Sequence, residues 1–231
     1  MALIVRDVRK SYGNLRVLDG ISFKAKDNEF VCVIGRSGCG KTTLLKIIAG
    51  IEKADYGEVK FNGRIGFVFQ EDRLLPWRTA LRNVSFGLEL MGIRDYKRAK
   101  RLLELVGLKG FEDYYPKQLS TGMRQRVAFA RALAIDPDIL LMDEPFANLD
   151  AQTREEMQEE LLKIVENKTV VFVTHSIDEA IYLADRVVVL SPRPARVVKI
   201  VEIDLEKPRD RNSSEFLEIK RNISLLLSNR A

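Results

Sequence analysis

Uninterrupted apolar runs alternate with amphipathic segments along much of this chain of 231 residues. The runs "FVCVI", "DILLMD", "TVVFVT" and "RVVVL" are short and almost free of polar residues, so they predict strands that are buried on both faces. The segments "KTTLLKIIAG", "AQTREEMQEELLKIVE" and "SIDEAIYLA" carry apolar residues at helical spacing and predict helices between those strands. This alternation predicts an α/β fold with a mainly parallel sheet.

Other parts of the chain depart from the alternation. The first 35 residues predict strands, and "GEVKFN" and "RIGFVFQ" predict two more, connected by a turn at Asn62-Gly63. Residues 72–135 instead predict helices inserted into the β-rich frame, and a last helix is predicted near 213–229. We expect one domain over 1–231, with a catalytic core of about 1–71 and 136–231 and a helical subdomain of about 72–135.

Composition narrows the possible functions. Apolar residues make up 46% of the chain and charged residues 31%, which suits a folded domain with a substantial core. No apolar run approaches the roughly 18 residues that span a bilayer, and the N-terminus lacks the long apolar region of a signal peptide. We therefore expect a cytosolic protein that reaches a membrane only through a partner.

Cysteine content argues against a zinc site, and the distribution of charge argues against a nucleic-acid partner. Cys32 and Cys39, with a single histidine, offer no zinc ligand set, so both cysteines are expected to be reduced. The net charge of +5 comes from basic residues spread along the chain, which favours a solvated surface and no nucleic-acid partner.

The stretch "FVCVIGRSGCGKTTLLKII" carries the strongest chemical signal. Gly35, Gly40, Lys41 and Thr42 fill the phosphate-loop pattern G-x-x-x-x-G-K-[ST], between a predicted strand and a predicted helix. Glycines let backbone N–H groups wrap phosphate oxygens, and the helix N-terminus adds partial positive charge. Lys41 is expected to reach the outer phosphates, and the Thr42 hydroxyl to hold Mg²⁺.

Acidic and imidazole side chains follow two of the predicted buried strands. Asp143 and Glu144 end "ILLMDEP", where Asp143 could complete the Mg²⁺ shell and Glu144 could polarise a water for attack on a γ-phosphate. His175, the one histidine, follows "TVVFVT". Ligands of parallel sheets gather beyond strand C-termini, so His175 lies where a ligand could bind.

The stretch "LSTGMRQRVAFARAL" resembles the signature sequence of ATP-binding cassette proteins, and further motifs of that family follow in family order. The resemblance implies a P-loop NTPase with an N-terminal antiparallel β subdomain and an inserted helical subdomain. It implies that Glu144, His175, Gln70 and Lys41 are catalytic, and that Thr42, Gln70 and Asp143 bind Mg²⁺. It implies ATP contacts by Tyr12, Gly35, Arg36, Ser37, Gly38, Cys39, Gly40, Lys41, Thr42, Thr43, Ser120, Thr121, Gly122 and Asp150.

Two positions depart from the commonest form of the family motifs. Thr121 stands where glycine is usual in the signature, and Asn148 stands where a smaller residue is more frequent. Threonine disfavours a positive φ, so Ser120 and Gly122 are expected to keep the phosphate contact. Ser120 is also a good helix N-cap. In this family two domains pair head to tail and bury ATP between them, so the resemblance implies a homodimer.

The stretch "QEDRLLPWRTALRNV" bears on what the ATPase drives. Leu74, Leu75 and Trp77 suggest a surface where a membrane permease docks, although Leu74 equally suits a buried corner of the core. "LLPWRT", "SPRPARVV" and "KPRDR" resemble importer ATPases for nitrate, sulfonates and taurine. That resemblance implies an external substrate-binding protein that acts indirectly, and a location on the inner face of the cell membrane.

Three alternatives remain at this point. The chain could serve an exporter, or it could be a soluble cassette ATPase of DNA repair or translation. Long coiled coils or a second cassette, typical of the soluble classes, are not present in the sequence. A small-molecule P-loop kinase would need an acceptor pocket and an arginine-rich lid, and would not need a signature helix.

Overall fold

The structure, a computed structural model, describes residues 2–165 and 167–228. The strands are β1 (Leu3–Tyr12), β2 (Leu15–Ala25), β3 (Phe30–Ile34), β4 (Tyr56–Phe61), β5 (Ile65–Val68), β6 (Ile139–Asp143), β7 (Thr169–Thr174), β8 (Arg186–Leu190) and β9 (Val197–Glu202). The helices are α1 (Lys41–Ile48), α2 (Ala80–Leu90), α3 (Tyr96–Leu105), α4 (Thr121–Ala134), α5 (Ala151–Ile164), α6 (Ile177–Leu183) and α7 (Ser214–Ser228). No helix of these described residues is long and apolar enough to cross a membrane.

The chain divides into two compact units, one of residues up to Asn62 and from Val165 onward, the other of Gly63–Ile164. In the first unit, β1 pairs with β2 and β4 in an antiparallel sheet. A second sheet of that unit has the order β7-β3-β8-β9 and is parallel except at β9. The predicted β-rich N-terminal part and mainly parallel sheet are thereby confirmed.

Parallel pairing sets the place where the first unit can carry out chemistry. Ile34, the last residue of β3, lies opposite Thr174, the last residue of β7. Gly35 and His175 therefore leave the sheet side by side at its carboxyl edge. β3 is buried along its whole length, and burial raises the pKa of the Cys32 thiol well above its usual value. Cys32 accordingly behaves as a core residue, not as a reactive thiol.

The second unit contains the predicted helices α2, α3 and α4, together with α5 and the parallel strand pair β5 and β6. Val68, the last residue of β5, lies opposite Met142 of β6. Gln70 and Asp143 consequently emerge at the same edge of this pair. The predicted subdomain of 72–135 lies inside this unit, and its predicted boundaries stay a prediction.

Two local expectations are corrected. β4 and β5 are not a hairpin around Asn62-Gly63, because β4 pairs with β1 and β5 pairs with β6. The helix expected over 151–166 ends at Ile164, and position 166 lies outside the described residues, as does the predicted end of the last helix at 229.

A buried arginine of the first unit joins the segment after β9 to the end of α6. Arg209 is 6% exposed, and its guanidinium donates to the carbonyl of Ala184 at 2.6 Å, to that of Leu205 at 3.0 Å and to that of Ile203 at 3.2 Å. It also donates to the carbonyl of Ile181. Burial lowers the pKa of Arg209, but an arginine stays charged, so these carbonyls satisfy its charge.

Replacing Arg209 with methionine should leave these buried carbonyls without a donor. We expect Arg209→Met to reduce the free energy of unfolding by about 3 kcal/mol, measured by urea denaturation. Lys207→Met is the matched control, because Lys207 forms a more exposed ion pair with Asp185 at 2.7 Å. Its loss should cost under about 1 kcal/mol, and equal losses in the two variants would contradict the role given to Arg209.

Candidate functional site

The phosphate loop of the first unit adopts a shape that glycine alone allows. Gly40 precedes α1 with a φ of 121°. A Cβ on Gly40 would lie 2.8 Å from side-chain atoms of both Val17 and Leu18. A Cβ on Gly35 would lie 2.8 Å from the Cys39 sulfur. The loop therefore packs closely against Val17 and Leu18 and leaves no room for a Cβ at Gly35 or Gly40.

The first turn of α1 is prepared for an anion. No side chain caps this helix, and no acidic residue lies in its first turn. The N–H groups at a helix N-terminus have no partner within the helix and carry partial positive charge. The Lys41 side chain is 5% exposed, and its Nζ donates to the carbonyl of Gly35 at 2.9 Å and to that of Arg36 at 3.3 Å. A full positive charge thus lies within the ring of the loop.

The other predicted ATP contacts of this unit take different positions. Arg36, Ser37, Gly38 and Thr42 are exposed, whereas the Cys39 side chain is buried and leaves only its backbone to the loop. Tyr12 ends β1 and is 46% exposed, and its hydroxyl interacts with Glu52 and Thr43. Partial burial, followed by Glu52, raises the pKa of Tyr12. The ring is therefore held beside the start of α1 as a neutral aromatic surface.

His175 is exposed on a corner that hydrogen bonds make rigid. The Thr174 hydroxyl donates to the Glu179 carboxylate at 2.5 Å and accepts from the Ser176 N–H at 3.0 Å. Ser176 caps α6 by accepting from the Glu179 N–H at 3.3 Å. Bonds on both sides of His175 fix its backbone, so the imidazole is presented at the carboxyl edge next to the phosphate loop.

The second unit presents its acidic pair at the end of β6. Asp143 is 4% exposed and is the last residue of the strand. Glu144 has a φ of 44°, which is uncommon for a residue other than glycine and typical of strained functional positions. Glu144 is part-exposed, whereas Asp143 is buried. Gln70 is exposed at the same edge.

The signature residues form the start of α4. The Ser120 side chain caps this helix by accepting from the Met123 N–H at 3.2 Å, and Ser120 is exposed. Thr121 is the first helical residue and has a negative φ, so the strain that threonine would suffer at a positive φ does not arise. A Cβ on Gly122 would meet Thr153 at 3.4 Å, an ordinary contact, so the fold itself does not require glycine there.

Asp150 serves first as a helix cap. Its carboxylate accepts from the Thr153 N–H at 3.0 Å and from the Thr153 hydroxyl at 2.8 Å. These two bonds lower the pKa of Asp150. Asn148 is exposed just before it. The predicted ATP contact of Asp150 therefore has to be compatible with its capping of α5, and stays a prediction.

Sequence reasoning missed the polar side chains that shape the segment 72–79. Asn83 is fully buried, and its amide donates to the carbonyls of Leu75, Arg78 and Thr79 while its oxygen accepts from the Leu75 N–H. Arg124 of α4 forms an ion pair with Asp72. The available signal was that Asn83 occupies a position of the apolar stripe of α2, where a polar residue needs a buried partner.

Comparisons with known proteins agree with this geometry. A model of the family described as "ABC transporter" matches residues 18–147. The chain is 58% identical over 226 residues to the uncharacterized ABC transporter ATP-binding protein MJ0412 of Methanocaldococcus jannaschii, covering 92% of this chain and 85% of that protein. It is 46% identical over 237 residues to the aliphatic sulfonates import ATP-binding protein SsuB of Bacillus cereus, covering 96% and 94%.

A solved structure also matches most of the chain. The dimeric post-hydrolysis state of the ATP-binding cassette MJ0796, bound to ADP and Pi, superimposes with a TM-score of 0.79 at 34% identity. The match covers 88% of this chain and 100% of that one.

A glycine loop between a buried parallel strand and an uncapped helix defines a phosphate-binding α/β protein of the P-loop class. The chain belongs to the ABC transporter family, as an ATP-binding subunit that hydrolyses ATP. The predicted family and fold class are confirmed, and the kinase alternative is excluded.

The glycine requirement of the loop can be tested with two neighbouring positions. Gly40→Ala should abolish ATP binding and lower the free energy of unfolding by about 3 kcal/mol, because the methyl group meets two side chains at an unfavourable φ. Gly38 has a φ of 75°, but a methyl group added there would have no atom within 4 Å, so Gly38→Ala should cost only about 1 kcal/mol. Nucleotide titration and thermal unfolding measure both effects, and equal behaviour of the two variants would refute the steric argument.

Proposed function

We propose that this chain powers the import of a small anion, of the sulfonate, nitrate or taurine class, through a separate membrane permease. The observation that supports ATP binding and hydrolysis is the glycine loop before the uncapped helix α1, with the buried Lys41 ammonium inside the loop. The direction and the cargo class are supported by relatives named as aliphatic sulfonates import ATP-binding proteins, 44–47% identical to this chain. We place the protein on the inner face of the cell membrane.

Binding of ATP would exchange contacts that the loop now makes with itself. Lys41 would turn from the carbonyls of Gly35 and Arg36 to the outer phosphates, where the loop and helix N–H groups also point. Residues 36–43 would surround the phosphates, with Cys39 contributing only its backbone. The exposed ring of Tyr12 offers a flat apolar face for adenine stacking.

The hydrolytic step needs a base and a group that keeps the water in line. Glu144 is assigned as the base, because it lies in a strained turn beyond β6 and is part-exposed, whereas Asp143 is buried. His175 can donate from one ring nitrogen and accept at the other, so it can connect the γ-phosphate to the attacking water. Gln70 is assigned to the same water and to the metal.

The donors available for Mg²⁺ fit that ion. A hydroxyl from Thr42, an amide oxygen from Gln70 and a buried carboxylate from Asp143 are the hard oxygen ligands that Mg²⁺ prefers, together with water and phosphate oxygens. When bound, the ion would neutralise developing charge on the phosphate oxygens.

A second cassette would complete the site. Ser120 and the first turn of α4 form an exposed anion-binding N-terminus, and Gly122 is small although the fold tolerates a Cβ there. Both features suit the close approach of another molecule's nucleotide to Ser120, Thr121 and Gly122. We propose a head-to-tail homodimer, with Asp150 also near the shared nucleotide. The solved cassette MJ0796 is itself described as dimeric.

The permease would dock on the segment 72–79, which we call the docking loop. Trp77 is 72% exposed and follows the exposed Pro76, so it offers an apolar anchor. Leu75 is part-buried, and Leu74 is 9% exposed, which favours the alternative that Leu74 packs in the core and supports the loop from within. A part for Leu74 in docking stays a prediction. The external substrate-binding protein would act only through the permease.

Removing the charge of Glu144 should separate ATP binding from hydrolysis. We expect Glu144→Gln to bind ATP normally, to hydrolyse it at least about a hundredfold more slowly and to elute as an ATP-dependent dimer in gel filtration. Glu155→Gln, an exposed acid of α5, is the control and should keep the wild-type rate. Wild-type turnover by Glu144→Gln would show that another group is the base.

The dimer depends on the exposed cap of α4. In the Glu144→Gln background, Ser120→Arg should prevent ATP-dependent dimerisation, because a long charged side chain keeps the two surfaces apart, while ATP binding to the monomer persists. Ser120→Ala removes only the cap and should lower the stability by about 1 kcal/mol. Light scattering with and without ATP measures the outcome, and a dimer formed by Ser120→Arg would contradict a second phosphate site at Ser120.

A further inference from the structure

We infer that Arg124 is a positioning residue that connects the docking loop to the first turn of α4, and so makes the signature respond to whatever docks at Trp77. This inference rests on the proposed function, which supplies both the docking partner and the nucleotide.

Arg124 bridges the two structures with one planar group. Its Nε donates to the Asp72 carboxylate at 2.8 Å. Its terminal nitrogens donate to the Leu119 carbonyl at 3.0 Å and to the Thr121 hydroxyl at 3.3 Å. A guanidinium holds its donors in a fixed fork, so it satisfies all three acceptors only when Asp72 and the start of α4 keep their relative positions.

A second arginine of α4 holds the same part of the loop. Arg131 donates to the backbone carbonyl of Asp72 at 2.7 Å and to that of Arg73 at 2.8 Å. Arg73 has a φ of 45°, and its guanidinium lies 4.2 Å from the centre of the Phe69 ring. A non-glycine residue in this region of backbone space is strained, so the surrounding contacts must hold it there.

The docking loop itself is internally rigid. Asp72 accepts from the Leu74 N–H at 3.1 Å with one carboxylate oxygen and from Arg124 with the other. The buried Asn83 then holds the loop through Leu75, Arg78 and Thr79. A displacement at Trp77 is therefore passed along the loop to Asp72 and not absorbed within it.

The Thr121 hydroxyl is part of this connection. A glycine at that position would have no hydroxyl to accept from Arg124, so the residue that departs from the usual signature is also the one that links Arg124 to the helix. Ser120, the residue proposed to contact a partner's nucleotide, lies between the two Arg124 acceptors Leu119 and Thr121. Its orientation thus depends on the same guanidinium.

Trp77 allows a direct test, because it is the only tryptophan of the chain. ATP and Mg²⁺ are added to the Glu144→Gln protein while light scattering follows the dimer and tryptophan emission follows the docking loop. We expect the emission to change as the dimer forms. With Arg124→Met added, the emission change should be lost at saturating ATP, and the dimer should dissociate about tenfold more readily, whereas ATP binding to the monomer stays the same.

Two further variants keep the test independent of a folding defect. Thr121→Val preserves the shape of the side chain and removes the hydroxyl that accepts from Arg124, so in the dimers that form it should reduce the emission change with an unaltered melting temperature. Arg126→Met is the control on the same helix, because Arg126 contacts Glu160 and the Val106 carbonyl and not the docking loop, so its dimer should keep the full emission change.

The outcomes separate the two proposals. A full emission change in dimers of both Arg124→Met and Thr121→Val would overturn the role of Arg124, as would an emission that never responds although the dimer forms. If the Glu144→Gln protein with Arg124 intact does not dimerise with ATP, the proposed function fails at the dimer, and the inference falls with it.

Discussion

Parallel pairing of β3 with β7, with Ile34 opposite Thr174, is the constraint on which the first unit depends. Strands that pair in parallel end at one edge, so the chain must leave the sheet there twice and return over its faces. The phosphate loop and His175 start from neighbouring positions for this reason. The strands suit this arrangement because they are buried along their whole length and mostly apolar. The same rule, acting on β5 and β6, brings Gln70 and Asp143 to one edge of the second unit.

Backbone conformation then determines what can happen at these edges. Gly40 has a φ of 121° and lies on Val17 and Leu18, so the loop is pressed against the antiparallel sheet from which Tyr12 also comes. Glu144 occupies the left-handed region without being glycine. Such a strained turn is maintained only where the surroundings over-determine it. We propose the catalytic base at this same strained position.

Helix α4 has two roles in the second unit. Its N-terminus is capped by the exposed Ser120, where we propose an anion site, and its Arg124 and Arg131 side chains hold the segment 72–79. The departure from the common signature at Thr121 is compatible with both roles, since Thr121 is helical and its hydroxyl accepts from Arg124. Thr121, which departs from the usual signature, thus belongs to the hydrogen-bond network of Arg124. The segment 72–79 and the signature helix are connected here by ordinary hydrogen bonds within one helix-loop element.

The sequence by itself determined the buried strands, the helices, the phosphate loop, the acidic pair and the family, because each depends on residues that are close together in the chain. The tertiary structure alone decided the rest. It paired β4 with β1 and β5 with β6, although a turn signal lies between β4 and β5. It buried Leu74 and exposed Trp77, which are three positions apart. It also joined Asp72 to Arg124 across 52 residues. These outcomes depend on which surfaces meet after collapse, and local propensity carries no information about contacts between distant segments.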